Sequence, residues 1–63
     1  MGGAMRDDEA LSCRDIERIF GVPAKQARSV LKRRVAEGDG EPLQVHGTWL
    51  APLRWWRAVL SAE

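Results

Sequence analysis

The order of apolar and polar positions divides the chain into four segments. From Cys13 to Phe20, the residues Cys13, Ile16, Ile19 and Phe20 share one side of a helical wheel, and Arg14, Glu17 and Arg18 fall outside it. This is the spacing of an amphipathic helix. Ser12 with Asp15 three residues on predicts a capping box with a shorter acid than usual, and Leu11 stands where it can staple the entry. Gly21 suits the left-handed close of that helix, and Pro23 suits the first turn of another while blocking continuation of the first. From Ala24 to Ala36, the apolar residues Ala24, Ala27, Val30, Leu31 and Val35 again recur with helical period. Lys25, Gln26, Arg28, Ser29, Lys32 and Arg33 take the other side. Arg34 falls on the apolar arc between Val30 and Leu31, so either its stem runs along the core edge to bring the charge to water or the helix has already outrun its partner there.

Glu37 to Pro42 reads as a loop by its glycines, proline and acids. Two short runs of strand formers follow, Leu43–Val45 and Thr48–Leu50, separated by His46-Gly47, which is the length of a tight hairpin turn. Pro52 then opens a last helix from Leu53 to Ser61, with Leu53, Trp56, Val59 and Leu60 on one arc and Trp55 at its margin, expected to be the most exposed of the tryptophans. The expected fold is therefore mainly α with a small β-hairpin, in the order helix, turn, helix, hairpin, helix, over residues 11–62. Residues 1–10 carry too few apolar side chains to be held and are expected to form a flexible arm.

Composition narrows this further. A chain of 63 residues makes one domain with a thin core. Three tryptophans, each worth roughly 150–250 Å² of buried area, let that core suffice without disulfide or metal. One cysteine and one histidine exclude an internal disulfide and a Cys/His zinc set, so Cys13 is read as a small apolar residue. No apolar run approaches the ~20 residues of a membrane span, and a cytoplasmic, bacterial or phage-encoded protein is expected. No nucleophile–base pair, paired carboxylates or phosphate-binding glycine loop stands out, so neither an enzyme nor a cofactor is expected.

Charge changes the picture most. The net charge is +1, yet residues 23–36 hold Lys25, Arg28, Lys32, Arg33 and Arg34 with no acid, while residues 37–42 hold Glu37, Asp39 and Glu41 with no base. A positive field confined to one helix steers a polyanion to one face. A merely solvated basic surface is the competing reading.

The order of elements, together with Ile16, Ile19, Phe20, Gly21-Val22, the basic helix from Lys25 to Arg33, Val45-His46-Gly47-Thr48-Trp49 and Leu53 to Leu60, resembles the winged helix–turn–helix domains of phage excisionases and of MerR-type regulators. Pro23 stands where such domains usually place a Ser or Thr cap. The resemblance implies sequence-specific binding of double-stranded DNA, in an architectural role or in transcription regulation. It places the second helix in the major groove and the hairpin, as a wing, on the adjacent backbone or minor groove. On that footing Lys25, Gln26, Arg28 and Ser29 are expected at base edges. Lys32 and Arg33 are expected at phosphates, with His46 and Thr48 touching backbone from the hairpin tip. Arg54 and Arg57 could add phosphate contacts. Self-association on DNA or fusion to a larger protein would raise affinity; no membrane or small-molecule substrate is implied. The rival function is an adaptor that uses Trp55 and the basic helix to dock an acidic protein partner.

Overall fold

Ser12 closes one element and caps the next. Its Oγ accepts the Asp15 N–H at 3.3 Å and its own N–H donates to Asp15 Oδ2 at 3.0 Å, which is the expected capping box. The computed structural model describes residues 6–62. It comprises β1 (Ala10–Ser12), α1 (Cys13–Phe20), α2 (Ala24–Ala36), β2 (Leu43–Val45), β3 (Thr48–Pro52) and α3 (Leu53–Ala62). The three strands form one antiparallel sheet in the order β1-β3-β2. A mainly α domain with a small hairpin is thus what the chain forms, with one strand more than expected.

The breaks between elements have local causes. Gly21 ends α1 at φ 74° and donates its N–H to Glu17 O at 3.0 Å; only glycine takes that conformation without strain. In the β2–β3 turn both central residues have positive φ, 50° at His46 and 81° at Gly47, as the preferred two-residue hairpin turn requires. Histidine tolerates this less well than glycine.

The arm expected over residues 1–10 is partly built into the fold; residues 1–5 lie outside those described. Leu11 pairs with Ala51 across β1 and β3, and both are buried. Just before it, the Glu9 N–H donates to Arg6 O, and this turn presents Glu9 O to the Leu53 N–H at 3.0 Å and Asp7 O to the Arg54 N–H at 2.9 Å. Those amides belong to the first turn of α3, which has no acceptors within its own helix. The acids of the segment sit at the positive end of the α3 dipole, where they stabilise it. Arg57 adds an ion pair to Asp7 at 3.1 Å.

The core gathers Leu11, Ile16, Ala27, Val30, Leu31, Ala51, Leu53, Trp55, Trp56 and Val59. Trp56 is fully buried, and its Nε1–H donates to Leu11 O at 3.1 Å, tying α3 to β1. Trp55, expected at the exposed margin, is instead 7% exposed. Its ring meets Trp56 edge to face at 5.0 Å and 84°, a favoured aromatic geometry. The side of Trp55 that a single apolar arc would leave to solvent is covered by the loop after α2. There Asp39 Oδ2 accepts its Nε1–H at 2.8 Å and Oδ1 accepts the Glu41 N–H at 3.0 Å. Two residues depart in the opposite sense. Ile19 and Phe20, expected in the core, are 37% and 39% exposed, because no described element covers the last turn of α1.

Candidate functional site

The basic helix is held by its apolar flank. Ala27, Val30 and Leu31 are buried, and Arg34 is half-buried on the same arc, as its wheel position requires. Its charge lies close enough to Asp39 to help hold that carboxyl below its ordinary 3.8, an effect due first to the Trp55 hydrogen bond. Lys25, Gln26, Arg28, Ser29, Lys32 and Arg33 are all exposed. At about 100° per residue, they divide into two stripes. Lys25, Arg28 and Lys32 form one, and Gln26, Ser29 and Arg33 form another, centred about 100° further round.

The first stripe borders a groove of about 590 Å³, open to solvent, where the starts of α1 and α2 meet the hairpin tip. Arg14 and Cys13 contribute from α1, Lys25 and Arg28 from α2, and Thr48 and Trp49 from β3. Three cations line it and no carboxylate does. Of the residues expected to act, the fold brings Lys25, Arg28 and Thr48 to this groove. Gln26, Ser29, Lys32, Arg33 and His46 remain exposed outside it. Arg14 was not anticipated. Its exclusion from the apolar face of α1 was legible, but its approach to the start of α2 depends on how the two helices cross.

Ion pairing sorts the cations. Arg18 pairs with Asp15 at 3.0 Å, Arg54 with Glu41 at 3.1 Å and Arg57 with Asp7 at 3.1 Å. Arg54 and Arg57, considered as phosphate contacts, are therefore already engaged. Arg33 and Arg34 also have partners. Arg6, ahead of β1, and Arg14, Lys25, Arg28 and Lys32 make no ion pair with any described residue. The last four border the groove or continue its α2 stripe.

Two further features shape the site. Pro23 gives α2 no side-chain cap, so no capping side chain serves the first amides of the helix, at the end where the dipole favours an anion. Burial pushes the Cys13 thiol above its ordinary 9.0, and the positive charge of Arg28 acts in the opposite direction. Half-buried, Cys13 forms part of the groove wall.

Among the described residues no group of three or more His, Cys, Asp and Glu side chains is arranged to hold a metal, and no helix is long and apolar enough to cross a membrane. No known protein family, curated protein or solved structure matches the chain.

Proposed function

We propose that the chain binds double-stranded DNA with sequence preference as a small winged helix–turn–helix module. In this reading α2 is the recognition helix and the β2–β3 hairpin is the wing, and the module serves as an excisionase-like architectural factor or a transcription regulator. The observation that carries the reading is the sorting of the cations. A protein that needed positive charge only for solubility would have no reason to pair the arginines of α3 while leaving Arg14, Lys25, Arg28 and Lys32 without counter-charges on one side of the molecule. An α-helix fits the major groove of B-DNA, about 12 Å wide. The uncapped start of α2 favours an approaching phosphate. Thr48 lines the same groove, which supports a backbone contact from the hairpin beside the helix. One module of this size makes few contacts, so working affinity calls for several copies side by side or attachment to a larger protein.

The adaptor reading loses its apolar anchor, because Trp55 is buried and bonded to Asp39. The deciding experiment is fluorescence anisotropy of labelled duplexes at low and near-physiological salt, combined with selection from a random duplex pool. Enrichment of a defined motif, with binding weakened by salt, supports the proposal. Equal binding to all duplexes would remove the sequence preference, and no binding even at low salt would remove DNA as the partner.

A further inference from the structure

The groove permits a sharper assignment, which rests on the DNA-binding reading. We propose that it is a clamp for a single backbone phosphate, held jointly by Arg14 and Arg28 with the Thr48 hydroxyl, so that Arg28 binds phosphate and does not read bases.

The reasoning starts from like charges. Arg14 and Arg28 come from different helices and line the same groove with Lys25, and no carboxylate lies there to neutralise them. Such a convergence is unfavourable until an anion bridges it, and guanidinium groups match a phosphate through paired hydrogen bonds. The rest of the lining identifies the source of the phosphate. Trp49 and Cys13, both half-buried, provide a less polar wall beside the charged one. A free phosphate ion has no use for such a wall, whereas a nucleic-acid backbone can set a deoxyribose against it. The groove is also far larger than one ion needs.

The position of Arg28 follows from the same geometry. It lies on the flank of α2 that faces α1, close enough to Cys13 for its charge to act on the thiol. A phosphate in the groove would lie alongside it. Base reading then passes to residues turned away from the clamp, Gln26 and Ser29, whose stripe lies about 100° round the helix. Gln26 can pair with adenine through two hydrogen bonds.

A double-mutant cycle tests this with the full chain. Arg14→Ala and Arg28→Ala each lower duplex affinity roughly tenfold, as expected for losing a hydrogen bond to a charged group. The double variant falls well short of the ~hundredfold loss of independent contacts, because one phosphate is shared. Both single variants keep the wild-type ratio of affinities for preferred and random duplexes, while Gln26→Ala lowers that ratio. Neither arginine makes an ion pair within the described fold, so unchanged circular dichroism melting is expected for both. Additive losses, or a changed ratio in Arg28→Ala, would overturn the clamp. A parallel titration with inorganic phosphate, followed through the arginine side-chain N–H signals by NMR, separates this idea from the reading beneath it. Shifts at Arg14 and Arg28 in a protein that binds no duplex would retain the phosphate site and discard DNA. Duplex binding indifferent to Arg14→Ala would retain DNA and discard the clamp.

Discussion

If the chain binds duplex DNA as proposed, the sorting of the cations sets a limit on how strongly salt can weaken that binding. Each phosphate neutralised releases condensed counterions, so the logarithm of the binding constant falls with the logarithm of salt concentration by about 0.9 per phosphate. Among the cations of α1 and α2, those without ion pairs are Arg14, Lys25, Arg28 and Lys32. If each met its own phosphate the slope would be ~−3.6, and affinity would drop ~150-fold between 50 and 200 mM salt. With Arg14 and Arg28 sharing one phosphate, three contacts remain, the slope is ~−2.7 and the drop is ~40-fold. Anisotropy titrations at five or six salt concentrations separate these values. A slope steeper than about −5 would require arginines already held by Asp7, Asp15 or Glu41 to leave their partners, and the sorting would then have no bearing on binding. A slope shallower than about −1 would mean that the basic stripe of α2 does not meet the backbone.

Other consequences concern the frame that presents this stripe. Asp39→Ala leaves the buried Trp55 Nε1–H without its 2.8 Å acceptor and should cost about 1–3 kcal/mol in urea unfolding; an unchanged midpoint would show that the loop after α2 is not anchored through this bond. Asp15 and Asp39 are both held below their ordinary 3.8, Asp15 chiefly by the Ser12 N–H and Asp39 chiefly by Trp55. A depressed carboxyl stabilises the fold fully above its ordinary value and loses that contribution as pH falls through the lower folded one. Urea midpoints should therefore decline as pH drops below about 4, and the Asp15→Asn/Asp39→Asn double variant should flatten that decline. His46→Asn relieves a positive φ of 50° and should stabilise the hairpin by a few tenths of a kcal/mol in thermal unfolding. Lower stability would refute this account of the turn, and weaker duplex binding at equal stability would place the ring on the DNA.

The boundaries of α1, α2, the hairpin and α3 were legible because each is marked by neighbours in the chain: Ser12 with Asp15, Gly21 with Pro23, His46 with Gly47, and Pro52 before Leu53. What the sequence did not reveal depends on distant residues. β1 has only three residues and one strong apolar side chain, Leu11; its place is secured by β3 and by Trp56, which is 45 positions away and bonds to Leu11 O. Trp55 lay at the margin of one apolar arc, and nothing local indicates that Asp39 returns to cover it. Periodicity likewise showed which face of α1 is apolar, but not that the core stops short of Ile19 and Phe20.

The cations are where this difference bears on function. Their number and their concentration in α2 are written in the sequence, and on that evidence Arg54 and Arg57 were as eligible to meet an anion as Arg14. Folding separates them: the N-terminal turn brings Asp7 to Arg57, and the acidic loop brings Glu41 to Arg54. Arg14 comes to border the same groove as Arg28, with no carboxylate among the residues that line it. A basic residue can serve a partner only to the extent that the fold has not already neutralised it. Asp7 and Glu41 therefore withdraw the α3 arginines from any anionic partner while adding ion pairs to the fold. Neutralising Glu41 and Asp7 should make the α3 arginines available to any polyanion and raise affinity for random duplexes more than for a preferred one.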